Sequence, residues 1–102
     1  MNLKRKAVNS TLTVTVNGRI DTATAPDFEK GVKPYLDGVS ELILDFKDVN
    51  YVSSAGLRAL LSLQKLMMKQ GEMKLINVND EVCDVFEVTG FDEILTYEKG
   101  AK

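Results

Sequence analysis

Apolar and polar residues alternate along the first part of the chain. In residues 11–16, TLTVTV, every second side chain is apolar, which predicts a β-strand with one face against a core. Residues 3–8 form a weaker candidate strand, and Asn9 and Ser10 between the two indicate a tight hairpin. Asn17 and Gly18 then break the second strand. The chain therefore opens with a predicted β-hairpin.

Apolar residues next recur at helical spacing. The stripe consists of Ala25, Phe28, Val32, Tyr35 and Leu36. The start of this predicted helix is marked by Thr24 as the N-cap, Pro26 in the first turn and Asp27 in the manner of a capping box. We expect the apolar stripe of this helix to face the core.

The later strands are short apolar runs between polar segments. Residues 42–44 are bounded by charges, which predicts a strand buried on both faces, as in a parallel sheet. Residues 73–78 predict another buried strand, and residues 95–97 predict a last edge strand.

Two more helices are predicted between and after these strands. The longer one carries the stripe Leu57, Leu60, Leu61, Gln64, Met67 and Met68. It is expected to run to Gln70 and to be closed by Gly71. The shorter one is capped by Asn79 or Asp80 and ends at Thr89 and Gly90.

Strands that alternate with helices predict an α/β fold, a small mixed sheet of about four to five strands packed against helices. The 102 residues correspond to a single domain, residues 1–102, in which residues 98–102 are expected to form a frayed tail.

Composition and charge exclude several classes of function. A formal net charge of -2, from 13 basic and 15 acidic residues, gives no argument for a nucleic-acid partner. No apolar run approaches the ~20 residues that span a bilayer, and no signal-peptide core follows the basic N-terminus. The single cysteine, Cys83, has no partner for an internal disulfide. We therefore expect a cytoplasmic protein that does not insert into membranes.

The absence of histidine limits the chemistry of the chain. Neither a Ser-His-Asp triad nor a Cys-His pair can be built, and an imidazole zinc site is excluded. A Walker-type phosphate loop is also absent. We expect no enzyme activity, no catalytic residue, no metal and no cofactor.

Residues 50–58, NYVSSAGLR, place Ser53 and Ser54 at the start of the long helix pattern. Three roles compete for them. One of the serines can be a helix N-cap, a contact worth ~1 kcal/mol. A catalytic nucleophile would need Gly-x-Ser-x-Gly and a histidine base, and the chain has neither. The third role is phosphorylation, since a phosphoserine at a helix N-terminus meets free N–H groups and the positive end of the dipole.

Three stretches, in register along nearly the whole chain, resemble the STAS domain of bacterial anti-sigma factor antagonists. Residues 48–57, DVNYVSSAGL, resemble the signature of this family around its phosphorylated serine. Residues 18–21, GRID, resemble the turn before its first helix, and residues 88–91, VTGF, resemble the end of its last helix. The chain is identified as a member of this family.

The resemblance implies a phosphorylation switch. The unphosphorylated protein would bind an anti-sigma factor with serine-kinase activity and so release the sigma factor. Phosphorylation at Ser54 would end this binding, and a serine phosphatase would restore it. Ser53 stands where the family has aspartate, which makes Ser53 a second candidate acceptor.

The resemblance also assigns residues that contact the partner. These are Asp21, Ser53, Ala55, Gly56 and Arg58. Arg58, where many relatives have glycine, lies four residues after Ser54 and so shares its helix face. It would pair with a phosphate on Ser54 or with an acidic group of the partner, unless it is an ordinary solvated arginine.

Two other roles remain open for the same fold. STAS domains also serve as regulatory subunits of lipid-transport ABC systems, where the corresponding loop and helix contact the ATPase. An interaction domain in which Ser54 is only a helix cap is the other alternative.

Overall fold

The computed structural model describes residues 1–100, which form five strands and three α-helices. The strands are β1 (Asn2–Val8), β2 (Thr11–Asn17), β3 (Glu41–Asp48), β4 (Glu72–Val78) and β5 (Tyr97–Lys99), and they follow this order across one sheet. β1 pairs antiparallel with β2, and the other three pairings are parallel. The predicted α/β fold with a mixed sheet is confirmed.

The helices are α1 (Ala25–Lys30), α2 (Ser54–Met68) and α3 (Asp80–Thr89), and two short 3-10 helices cover Lys33–Tyr35 and Phe91–Glu93. Buried side chains of α1, α2 and α3 join those of the strands in one hydrophobic cluster. Among residues 1–100, no helix is long and apolar enough to cross a membrane.

The sheet is covered on one face. Along β3, Leu42, Leu44 and Phe46 are buried while Ile43 and Asp45 between them are half-buried. The prediction that residues 42–44 are buried on both faces is therefore wrong. Residues 42–44 resemble a strand buried on both faces because Ile43 is apolar. The helices, however, pack on the face of the sheet that carries Leu42 and Leu44, not on the face that carries Ile43.

α1 is shorter than the predicted helix. It ends at Lys30 because a longer helix would bring the Pro34 ring against the Lys30 carbonyl, and Pro34 lies instead in a separate 3-10 turn, Lys33–Tyr35. Tyr35, predicted in the core stripe, is 49% exposed. The Thr24 residue does occupy the N-cap position, but its side chain makes no capping hydrogen bond, so that part of the prediction is wrong.

α2 also ends earlier than predicted. Its last helical residue is Met68, which is 72% exposed and so lies outside the buried stripe, whereas the predicted Met67 is buried and Leu63, which was not predicted, is buried with it. Gly71 follows because any Cβ there would collide with the carbonyl group of Ser40. The predicted glycine at this end is thus explained by a close backbone approach.

The C-terminal part is more ordered than expected. The last strand comprises Tyr97–Lys99 rather than residues 95–97. Glu98 pairs with Lys74 at 2.6 Å, and the Gly100 N–H donates to the Val78 carbonyl at 2.9 Å. The prediction of fraying is therefore wrong for residues 98–100, because β5 pairs with β4 there. Residues 101 and 102 lie outside the described residues.

Candidate functional site

Two loops meet where the chain leaves β2 and β3. The Ile20 N–H donates to the Tyr51 carbonyl, and the Ser53 N–H donates to the Ile20 carbonyl, each at 2.9 Å. Ile20 and Val52 form a parallel bridge, and both side chains are buried. The Asp21 loop, residues 18–24, and the serine loop, residues 49–53, are consequently one hydrogen-bonded unit at the carboxyl edge of the sheet.

The first turn of α2 packs directly against this unit. A Cβ on Gly56 would lie 2.7 Å from the Ile20 carbonyl oxygen and 2.9 Å from Cγ1 of Val52. Gly56 is buried, so its side of the helix has no surface to offer a partner. The prediction that Gly56 contacts the partner is corrected: this glycine lets α2 approach the Asp21 loop.

The two serines have different environments. Ser53 is the N-cap of α2: its backbone is extended, and its hydroxyl accepts a hydrogen bond from the Gly56 N–H at 3.3 Å. Ser54 is the first helical residue and is exposed. Within residues 1–100, the Ser54 hydroxyl makes no hydrogen bond. The N-cap of α2 is therefore Ser53, and the Ser54 side chain does not contribute to capping this helix.

The Asp21 carboxylate organises its own loop. One oxygen, Oδ1, accepts hydrogen bonds from the Ala23 and Thr24 N–H groups, both at 3.0 Å. The hydrogen bond from the Thr24 backbone is the main reason why the pKa of Asp21 lies below its usual range. Asp21 is therefore a fixed negative charge beside the serine loop.

Arg19 and Tyr51 form a neighbouring pair that the sequence analysis did not assign. The Arg19 guanidinium lies 4.8 Å from the centre of the Tyr51 ring, and its Nε is 3.7 Å from Oδ2 of Asp21. Tyr51 is 44% exposed. Ile20 pairs with Val52, so Arg19 and Tyr51, the residues that precede them, lie side by side. Knowledge of this pairing would have revealed the contact between Arg19 and Tyr51.

Arg58 lies on the side of α2 that faces α1. It lines a depression of about 390 Å³ between α1 and α2, together with Ala25, Pro26 and Ala55. Thr22, Glu29 and Lys30 complete the lining. Arg58 is exposed and makes no ion pair with any residue of the described part of the chain. Ala55, Arg58 and Thr22 of the Asp21 loop therefore line one depression, and Ser54 directly precedes Ala55 at the start of α2.

Comparisons with known proteins agree with this arrangement. The STAS domain model matches residues 2–101. The anti-sigma-B factor antagonist of Bacillus subtilis is 29% identical over 96 residues, which cover 93% of this chain and 88% of the relative. BtrV of Bordetella bronchiseptica, a candidate anti-sigma factor antagonist, is 33% identical over 93 residues, which cover 89% and 80%.

Solved structures show the same fold. A candidate anti-sigma factor antagonist from Thermotoga maritima superimposes with a TM-score of 0.86 at 23% identity, covering 95% of this chain and 86% of the other. The anti-sigma factor antagonist SpoIIAA in its unphosphorylated form has a TM-score of 0.73 at 15% identity, covering 98% and 90%. The phosphorylated form of SpoIIAA, from Bacillus, has a TM-score of 0.71 at 15% identity, covering 96% and 92%.

Proposed function

Because this chain belongs to the STAS domain family, and within it to the anti-sigma factor antagonists, we propose that phosphorylation of Ser54 controls its binding to an anti-sigma factor. Members of this family are regulators rather than enzymes. The protein is thus the binding partner and the phosphate acceptor, and the anti-sigma factor supplies the serine-kinase activity.

The exposed Ser54 hydroxyl is the observation that carries the proposal. It stands at the first position of α2 and is free of hydrogen bonds to residues 1–100, so a kinase can reach it without unfolding the chain. Ser53 is half-buried, and its hydroxyl is engaged in the cap. A phosphate on Ser53 would cost the cap, which is why Ser54 is the acceptor in this account.

The surface beside Ser54 suits a protein partner. The depression offers small apolar side chains, Ala25, Pro26 and Ala55, at its floor and rim. Arg58 lines the same depression with its charge uncompensated, and an acidic side chain of the anti-sigma factor is its natural counterpart. In this proposal Arg58 contacts the partner, and Asp21 stabilises the loop that borders this surface.

Phosphorylation changes this surface by charge and by size. The Ser54 hydroxyl oxygen bonds to the γ-phosphorus of the ATP held by the kinase, its proton passes to a base of the kinase, and ADP leaves as the bond to its bridging oxygen breaks. The new group carries a charge of about -1.5 to -2, which would be buried against the partner's acidic groups. A loss of about 3 kcal/mol is enough to weaken binding more than a hundredfold. The structures of SpoIIAA in unphosphorylated and phosphorylated forms support a switch of this kind on the same fold.

The remaining parts of the cycle follow from this switch. A serine phosphatase removes the phosphate and restores binding to the anti-sigma factor, so that the sigma factor is released again. The role belongs to the cytoplasm, and it needs neither direct contact with nucleic acid nor insertion into a membrane.

Intact-mass analysis and peptide mapping test the acceptor. The protein is incubated with Mg-ATP and the anti-sigma factor encoded by the same genome, beside Ser54→Ala and Ser53→Ala variants. We expect one phosphate, on Ser54, in the native protein and in Ser53→Ala, and none in Ser54→Ala. Phosphate on Ser53 alone, or on neither serine, would refute the assignment. Copurification with an ABC-transporter ATPase instead of an anti-sigma factor would favour the transporter-subunit role.

A further inference from the structure

We propose that Arg19 is the counter-ion of the phosphate on Ser54: its guanidinium lies on Tyr51 in the unmodified protein and moves to the phosphate after phosphorylation. This inference rests on the proposed function and adds to it the residue that stabilises the modified state. It also identifies a second place, Tyr51, where the surface changes.

A phosphate on Ser54 needs a nearby cation because Asp21 is close and ionised. The Ser53 N–H is bonded to the Ile20 carbonyl, so Ser54 and Asp21 each directly follow a member of that bonded pair. The Asp21 carboxylate is held in place by two backbone hydrogen bonds and cannot turn away without opening its loop. A phosphate and a carboxylate on these two bonded loops repel each other, and a positive group beside both lowers that repulsion.

Arg19 is positioned to be that group. Ile20 and Val52 point into the core, so Arg19 and Tyr51, one residue before each, point outward together. Arg19 directly precedes Ile20, about 3.8 Å along the chain, and Ser54 is the same distance beyond Ser53. The Arg19 guanidinium lies beside Asp21, which directly follows Ile20, and Ser54 directly follows the Ser53 whose N–H binds Ile20, so we infer that a phosphate on Ser54 comes near this guanidinium. The guanidinium already lies beside Asp21, so it can contact that carboxylate and the phosphate at once.

The present contacts of Arg19 are weak enough to be exchanged. The Arg19 side chain is 64% exposed. The distance from its Nε to Oδ2 of Asp21, 3.7 Å, is too long for a hydrogen bond. Its other contact is the face of the Tyr51 ring at 4.8 Å. A dianionic phosphate offers charge-assisted, bidentate hydrogen bonds that neither contact supplies.

Arg58 is the competing cation. It follows Ser54 by one helical turn, but it lines the depression on the α1 side, where the partner is proposed to bind. The charged groups on the loops and helix starts near Ser54 include Arg19, Asp21, Asp27, Asp48 and Arg58. Of these, Arg19 alone is seen in contact with Asp21.

The test places phosphoserine at position 54 by genetic encoding, so no kinase is needed. The second ionisation of the phosphate is followed by phosphorus NMR as a function of pH in the native background and in single variants. We expect Arg19→Gln to raise the pKa of this phosphate by about one unit, because the ionised form loses its cation. Arg58→Gln should shift it by less than about a quarter of that amount.

Arg5 supplies a matched control. Its guanidinium also stacks on a tyrosine, Tyr35, at 4.3 Å, but on the β1 side of the molecule. Arg5→Gln should leave the phosphate pKa unchanged. Arg19→Lys, which keeps a positive charge, should restore at least half of the shift. Thermal melting of each variant verifies that all are folded.

The Tyr51 ring gives a second readout. Its NMR signals should move on phosphorylation in the native background and stay in place in Arg19→Gln. An unchanged phosphate pKa in Arg19→Gln, or the full shift in Arg58→Gln, would overturn the proposal. Because phosphoserine is installed directly, this failure is separate from a failure of natural phosphorylation, which the mass analysis reports.

Discussion

The starts of α2 and α3 are built alike but charged differently. Each begins with a side-chain N-cap: Ser53 accepts from Gly56 at 3.3 Å, and Asn79 accepts from Val82 at 2.8 Å. The first turn of α3 contains Asp80 and Glu81, whereas the first turn of α2 contains no acidic residue. The first turn of α3 thus carries carboxylates of its own at the positive end of the helix, and the first turn of α2 carries none.

This difference shows what α2's first turn is suited for. A helix start selected for stability alone gains from acidic residues, as α3 illustrates. α2 presents the neutral, exposed hydroxyl of Ser54 at the corresponding place. A phosphate on Ser54 would add a negative charge that the first turn of α2 itself lacks, at the end of the helix dipole that favours it. In the proposed switch, phosphorylation would therefore disturb partner binding and leave the fold intact.

The close packing at the start of α2 is expected to show the largest effect on stability. Gly56→Ala places a Cβ within 2.7 Å of the Ile20 carbonyl oxygen, so α2 must move away from the Asp21 loop. We expect a loss of about 2 kcal/mol in the free energy of unfolding, measured with urea. Ser54→Ala, in the same turn but exposed, should change it by less than about 0.5 kcal/mol. Equal losses of stability in Gly56→Ala and Ser54→Ala would show that close packing does not require a glycine at position 56.

The caps should have intermediate effects of unequal size. Asn79→Ala removes the cap of α3 and also the hydrogen bond from Nδ2 to the Val49 carbonyl, so about 1.5 kcal/mol is expected. Ser53→Ala removes one longer hydrogen bond and should cost about 0.7 kcal/mol. Urea denaturation of both variants measures this order. A larger loss in Ser53→Ala would contradict the comparison of the two helix starts.

Exchanging the charges of the two first turns should give smaller effects of opposite sign. Ser54→Asp adds a carboxylate to α2 and should raise the free energy of unfolding by about 0.5 kcal/mol. Glu81→Gln removes one from α3 and should lower it by about the same amount. The gain in Ser54→Asp should disappear when combined with Arg19→Gln, since the charge then faces Asp21 without a cation. A gain that persists there would contradict the proposed place of Arg19.

Asp21 should produce the smallest effect on stability, and this effect is recognised by its loss in acid. Its pKa is lowered from 3.8 in the folded state, so its carboxylate contributes stability above that value. This contribution is lost as the pH falls through the lower folded pKa. The stability difference between the native protein and Asp21→Asn should thus be constant above about pH 5 and shrink below about pH 4. A stability difference that stays unchanged throughout the acid range would contradict this contribution of Asp21.

The sequence predicts the elements better than their contacts. All five strands and three helices were expected, because periodicity follows directly from which side chains face the core. The early end of α1 was missed because the apolar spacing of Val32, Tyr35 and Leu36 continues past Pro34, which ends the helix. Ile43 was misassigned because an apolar side chain on an open sheet face has the same pattern as a buried one.

Two features of the candidate site could not be predicted from the hydrophobic and polar pattern of the sequence. Adjacent serines are equally good N-caps, so the choice of Ser53 depends on how Gly56 packs under Ile20. The pairing of Arg19 with Tyr51 joins loops about thirty residues apart and follows only from the Ile20–Val52 bridge. By contrast, the approach of Asp21 to the serine loop agrees with the resemblance of the motifs.

The central claim, that a phosphate on Ser54 ends partner binding, is tested most directly by one affinity comparison. The anti-sigma factor encoded by the same genome is titrated calorimetrically with the native protein and with the protein that carries phosphoserine at position 54. We predict a Kd at least a hundredfold higher for the phosphoserine protein, about 3 kcal/mol weaker binding. Equal affinities of the two forms would contradict the account, because Ser54 would then be an exposed helix residue without a role in the switch.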